Sequence, residues 1–233
     1  MSTTRHVIGE WRRGSTIRHV RAAGQTWSVI DPRFVYLAMA LSAVGGYGYV
    51  RDTLRGETAP NRVTWSLWGV EGVLAFGVEA QQHVGLAEWM TLMLGLVPIV
   101  VVLSSFRNRH AVWRIGAFDV ICGSVSLAGL VFWAFVHEPT VALVSFVCAD
   151  QAAALPTLRK SWLAPETESP RVFALGCLNC VITLFTLKAF TTAGVLFPGC
   201  IAVTDAIMAL LIVSRVGPRL RASRAATTGA PHT

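Results

Sequence analysis

Between residues 33 and 214 the chain carries seven stretches of about 20 mostly apolar residues, each closed by a short segment of Arg, Pro, Gly or acidic residues. A helix rises about 1.5 Å per residue and the hydrocarbon core of a bilayer is about 30 Å thick, so runs of this length are what membrane spans require. They lie near 33–50, 63–81, 86–105, 113–135, 139–156, 171–188 and 190–214. Composition agrees, because 53% of the 233 residues are apolar and only 14% are charged, too few to coat a water-facing surface. The expected fold class is an all-α membrane protein with seven transmembrane helices. A basic tail, 1–32, and an Arg, Ala, Thr, Gly and Pro-rich tail, 215–233, are expected to be flexible. No basic start with a short apolar run and a small-residue cleavage site precedes the first span, which is therefore expected to be retained.

The 20 Lys and Arg against 13 Asp and Glu give a net charge of +7, but the cations sit in the tails and connecting segments. That is membrane-flanking charge, not a nucleic-acid surface. Arg51, Arg55 and Arg62, then Arg107, Arg109 and Arg114, then Arg159, Lys160 and Arg171, and finally the C-terminal tail all fall on one side of a seven-span chain. The positive-inside rule places that side, with the C-terminus, in the cytoplasm and the N-terminus outside. The Arg-rich N-terminal tail runs against this. With 18 Arg to 2 Lys, the composition resembles that of a GC-rich bacterial genome, so a multi-pass protein of the bacterial cytoplasmic membrane is expected.

Catalytic signatures are missing. Cys122, Cys148, Cys177, Cys180 and Cys200 all lie in apolar stretches, which argues for packing rather than a disulfide framework or a zinc site. The Cys177-Leu178-Asn179-Cys180 spacing of a redox pair falls within an apolar helix, where a thiolate is disfavoured. The histidines are scattered, and no nucleophile elbow or phosphate-binding glycine loop is present. Neither lysine lies in the middle of the last helix, as a retinal protein would require. An enzyme is not expected, nor a metal site, nor a cofactor.

An internal repeat organises the spans. The segment after the first reads TLRGETAP from Thr53 to Pro60, and that after the fifth reads TLRKSWLAP from Thr157 to Pro165. Pro98 and Pro198 interrupt the third and seventh spans at comparable places and are candidate hinges. Two three-helix units separated by one linker helix account for seven spans and give both units the same orientation. The units are 33–105 and 139–214, with the linker within 106–138.

The runs Gly46–Trp68 and Ala149–Ser169 resemble the PQ-loop superfamily, which includes the SWEET sugar transporters and the lysosomal cystine exporter. The resemblance covers about residues 33–214 and implies two parallel three-helix bundles joined by an inversion helix, an outside N-terminus and paired cytoplasmic motif loops. Asp52, Pro60 and Asn61 in the first loop, and Pro156, Lys160, Pro165 and Glu168 in the second, are its candidate motif residues. Asp52-Thr53 and Pro156-Thr157 stand where the family carries Pro-Gln, and the helix prolines lie in the third members of the bundles rather than in the members usual for SWEET proteins.

Four carboxylates fall well inside the spans: Glu71, Asp119, Asp150 and Asp205. Counted from the cytoplasmic ends they form one layer, with Asn179 at a similar depth. A charge at mid-bilayer costs about 2.5–3.5 kcal/mol on insertion scales, and no Lys or Arg lies at that depth to pair with these groups. Each must be protonated, share a proton, meet a cation or receive hydrogen bonds. Asp150 is the first candidate, because Ala153 and Ala154 leave space beside it; neighbouring Gln151 is expected to point elsewhere. Asp119, on the linker helix, reads first as a structural group. Trp68 is a stacking surface for a solute, whereas Trp65 is read first as an interfacial anchor. The charged loop residues, Lys160 and Glu168 among them, read most simply as weak surface pairs. The pattern points to a carrier of a small polar solute, a sugar, amino acid or amine, working by alternating access with protons as a candidate coupling ion. The alternative is a non-transporting receptor or scaffold of the same build. Lipid, the solute and protons are the expected partners, with self-association left open.

Overall fold

The computed structural model describes residues 30–81, 86–108, 113–136, 138–187 and 191–228. Among these residues the regular structure is entirely helical: α1 Val35–Arg55, α2 Arg62–Gln81, α3 Leu86–Arg107, α4 Ala117–Phe135, α5 Pro139–Leu163, α6 Pro170–Thr186, α7 Thr192–Ser214 and α8 Val216–Thr228, with short 3₁₀ turns at Pro32–Phe34 and Pro165–Thr167. By length and composition α3, α4, α5 and α7 can each cross a bilayer, which makes this a multi-pass membrane protein. The apolar α6, at 17 residues, is shorter, while α1 and α2 are long enough but carry more polar and charged residues.

Three boundaries differ from the sequence expectation. Helix α1 continues past residue 50 to Arg55, so Asp52 and Thr53 are helical, and it stops where Gly56 takes the left-handed conformation (φ +79°) that glycine adopts without penalty. Helix α5 continues through Pro156 to Leu163, so Pro156 and Lys160 belong to a helix rather than a loop. Residues 216–228, expected to be flexible, form α8, which packs on α5, with Arg221 donating to the Leu163 carbonyl at 2.7 Å. The expected N-terminal tail falls, apart from residues 30–32, outside the described residues.

Helix packing forms a closed circuit. Helix α3 packs against both α1 and α2, and α7 packs against both α5 and α6; α1 then meets α6, and α2 meets α5. The order around the circuit is thus α1, α3, α2, α5, α7, α6. Helix α4 stands outside it against α5 and α2. Small residues allow a close crossing: a Cβ added to Gly72 of α2 would overlap the backbone of Gly95 in α3, so the two helices meet main chain to main chain.

The distribution of polarity is that of a body surrounded by hydrocarbon. Large apolar side chains such as Val73, Val100, Leu103, Ile121, Phe132 and Leu210 point outward, while Glu71, Asp119, Asp150, Lys160, Glu168 and Asn179 are buried. Water would drive those outward groups into a core, whereas lipid exerts no such force. At the α5 N-terminus, Glu138 caps the helix by accepting the Val141 amide at 2.6 Å; this bond and that of Thr140 hold its carboxyl below the ordinary carboxylate range.

The Gly72–Gly95 crossing predicts that Gly72→Val lowers stability by about 1–3 kcal/mol, the usual cost of overpacking. Gly48→Ala, where an added Cβ meets open space, should not lower it. Thermal unfolding in detergent, followed by circular dichroism, compares the two.

Candidate functional site

A cavity of about 120 Å³ is lined by all six members of the circuit, and no described residue of α4 is in its wall. A single water site needs roughly 10–15 Å³ of such space, so several waters or a small organic molecule can be accommodated. Helices α2, α5 and α7, consecutive in the circuit, contribute Glu71, Asp150 and Asp205, together with Gln151 and Thr204. Across from them α3 and α6 contribute mainly apolar groups, among them Val97, Pro98, Val172 and Phe173. The acids come from α2, α5 and α7, and most of the remaining lining is apolar.

The carboxyls of Glu71 and Asp150 adjoin. Ser126 of α4 donates to Glu71 Oε1 at 3.2 Å, and the buried Glu71 carboxyl shares a hydrogen bond with that of Asp150. Asp150 Oδ2 accepts from Gln151 Nε2 at 2.9 Å, and Gln151 Oε1 in turn accepts from the Thr204 hydroxyl at 2.5 Å, which links α5 to α7. Asp205 interacts electrostatically with Asp150, and its carboxyl lies against Gly176 of α6, where any Cβ would collide with Oδ2. Three acids from three helices thus converge, and no Lys, Arg or His is among the described lining residues.

The structure sorts the sequence candidates. Glu71, Asp150, Asp205 and Trp68 line the cavity, as does Pro98; Pro198 lies within α7 beside the lining residue Phe197. Asn179 is buried behind the wall and donates to Ser42, a lining residue, at 2.8 Å. Asp119 is not in the wall. It sits in the first turn of α4, where its oxygens accept the Gly116 amide at 2.7 Å and the Asn61 side chain at 2.6 Å, so it fastens the starts of α2 and α4 rather than offering a charge to a solute. Gln151, expected to point away, instead folds back onto Asp150: adjacent positions diverge by about 100° on a helix, but a long amide spans that gap. Trp65 is not an interfacial anchor. It is 2% exposed and stacks within a cluster including Tyr49 (4.6 Å between ring centroids), Trp68 (5.4 Å) and Phe173 (6.4 Å). Ser126 and Tyr49 were not anticipated, although the face Asp119, Cys122, Ser126, Leu130 follows helical spacing and marks the buried side of α4.

The Tyr49 cluster shares Trp65, Ala154 and Phe173 with the cavity wall and is bonded through Tyr49 to the connection after α5, which is itself bonded to the connection after α1. The Ala59 amide donates to the Thr167 carbonyl at 3.0 Å. Lys160 reaches the Ala59 carbonyl, the Thr167 carbonyl at 3.2 Å and Glu168 Oε1 at 2.7 Å, and Tyr49 donates to Glu168 Oε2 at 2.7 Å. Both charged side chains are fully buried, so this is not the weak surface pair expected from sequence. Asp52 belongs to the same end: its carbonyl accepts the Glu57 amide at 2.8 Å, and its carboxylate pairs with Arg51 at 3.0 Å. Asn61 caps α2 through the Val63 amide at 3.0 Å, and Pro60 and Pro165 are buried beside it in the two connections.

Protein-family models, curated protein sequences and solved structures offer no match to this chain.

Removing one member of a buried ion pair leaves the other uncompensated, so Lys160→Met should cost about 3–5 kcal/mol. Lys160→Met combined with Glu168→Gln should cost clearly less than the sum of the single changes. A double-mutant cycle of thermal unfolding in detergent measures the coupling.

Proposed function

We propose that the protein is a carrier of a small polar solute across a bacterial cytoplasmic membrane, working by alternating access. In this reading all seven of α1–α7 span the bilayer, α1–α3 and α5–α7 are parallel bundles with α4 as the linker, and the bonded repeat segments face the cytoplasm with α8. The reading rests chiefly on one observation: three acids from three helices meet in a cavity to which both triplets contribute, without a cation among the described lining residues to neutralise them. A stabilising scaffold has no use for that arrangement, since isolated carboxyls in a bilayer cost free energy that must be recovered from a ligand or a proton.

Two further features support it. The triplets repeat one internal order, with the third helix between the first and second, and the contact of α1 with α6 is mirrored by that of α5 with α2. An approximate two-fold relation of this kind lets one bundle rock against the other around a central site. The resemblance of Gly46–Trp68 and Ala149–Ser169 to the PQ-loop superfamily accords with the same plan. The Lys160–Glu168–Tyr49 cluster then serves as the cytoplasmic gate, which has to separate for the cavity to open inward. Glu71 and Asp150, placed side by side without a cation, are the candidate proton acceptors for coupling.

Flux in proteoliposomes tests this. With a panel of sugars, amino acids and amines, saturable uptake of at least one solute is expected, faster with an imposed pH gradient, and Asp150→Asn should remove the pH-dependent part. Absence of flux for every solute, from protein that remains folded, overturns the carrier reading in favour of a receptor or scaffold.

A further inference from the structure

We infer that Thr64 of α2 and Thr157 of α5 hold an ordered water between them, a polar clasp that joins the two triplets between the Glu71–Asp150 pair and the bonded connections. Both side chains are fully buried. Among the described residues theirs are the only hydroxyls sealed from solvent that have no hydrogen-bond partner. A hydroxyl in a helix is ordinarily satisfied by its own backbone: Thr53, Ser145, Ser161 and Thr183 each donate to the carbonyl four residues earlier, at 2.7–3.0 Å. Thr64 and Thr157 make no such bond. A hydroxyl left unsatisfied in a dry interior is destabilising, and two of them at one place call for a shared partner.

Helix register puts them at one place. Glu71 is bonded to Asp150, and Lys160, farther along α5, reaches the carbonyl of Ala59, just ahead of α2. Numbers therefore fall along α2 as they rise along α5, and the two helices run antiparallel. Thr64 stands seven residues from Glu71 and Thr157 seven from Asp150, each toward the Lys160 end. Seven residues are two helical turns to within about 20°, so both hydroxyls lie on the faces that carry the acids, about 10.5 Å farther along. The acid contact and the Lys160 contact bracket this level from either side.

Distance and chemistry select water. Facing hydroxyls that are close enough bond directly, as those of Thr53 and Thr58 do at 2.8 Å. Those of Thr64 and Thr157 do not, and a polar contact wider than about 3.5 Å is the kind that a water spans. A threonine hydroxyl both gives and accepts, so a single water serves the two at once, whereas a hard metal ion takes about six oxygens. Ala153, one turn from Thr157 on the same face, is fully buried and offers only a methyl, which keeps the crossing roomy. The site is independent of the carrier reading, since a scaffold would need its two hydroxyls satisfied equally.

Thermal unfolding of the purified full chain in detergent, followed by circular dichroism, tests the clasp through Thr64→Val, Thr157→Val and the double variant. Each single change deletes a hydroxyl at nearly constant volume and should lower the midpoint by about 2–4 °C, the shift expected for one lost hydrogen bond in a chain of this size. The double variant should lie no lower than the worse single, because either change already releases the same water. Thr64→Ser and Thr157→Ser, which keep the hydroxyl, should fall less than the valine variants. A midpoint raised by either valine shows a hydroxyl with no partner, and fully additive losses show two hydroxyls satisfied separately; each result overturns the clasp. An experimental density map of the wild type, fine enough to show ordered water, should hold a peak within about 3 Å of both oxygens, and its absence overturns the clasp even if a valine variant does not fold.

Discussion

Hydrocarbon offers no hydrogen bonds, and every other feature of this molecule follows from that constraint. Polar groups on the spanning helices have to be satisfied by one another, so they collect in the interior: Asn61 on Asp119, Asn179 on Ser42, Thr204 on Gln151, Ser126 on Glu71. Each of these bonds joins two different helices and so fixes which faces meet. The apolar side chains, which would form the core of a soluble protein, are released to the outside. Glu71 and Asp150 follow the same rule, two carboxyls from α2 and α5 that share a hydrogen bond in the wall of the central cavity.

The two matching strings, TLRGETAP from Thr53 and TLRKSWLAP from Thr157, end their helices differently. In the first, Gly56 stops α1 with a left-handed turn. In the second, Lys160 occupies the matching position, α5 continues for another turn, and the lysine fills the space over the first connection, bonded to the Ala59 carbonyl and to Glu168. A buried pair of this sort contributes little net stability over an apolar replacement, because desolvation consumes most of the Coulombic gain. The cluster of Tyr49, Trp65 and Phe173 beneath it supplies the apolar contact that an ion pair alone lacks.

Much of the site was legible before any coordinates. Buried carboxylates in helices without neighbouring cations are conspicuous against an apolar background, and Glu71, Asp150 and Asp205 were found on that ground alone. Asp119 has the same composition around it but a different fate, because it falls three residues after Gly116 at a helix start, where backbone amides compete for its oxygens. Gln151 and Trp65 were misplaced for a related reason: a local reading assigns directions from helical spacing and positions from distance to the membrane edge. It cannot see a side chain that folds back on its neighbour or a connection that closes over a ring.

What the sequence determined by itself was the medium, the helical class and the approximate place of each long apolar run, because hydrophobicity and length are properties of single segments and need no partner. Tertiary structure decided which acids converge, which residues line the cavity, and that Lys160 is buried rather than solvated. Those outcomes depend on the circuit of helices, which brings residues more than a hundred positions apart, such as Tyr49 and Glu168, within hydrogen-bonding distance. No local pattern encodes that meeting, since the free energy favouring it is shared among packing contacts along six helices at once.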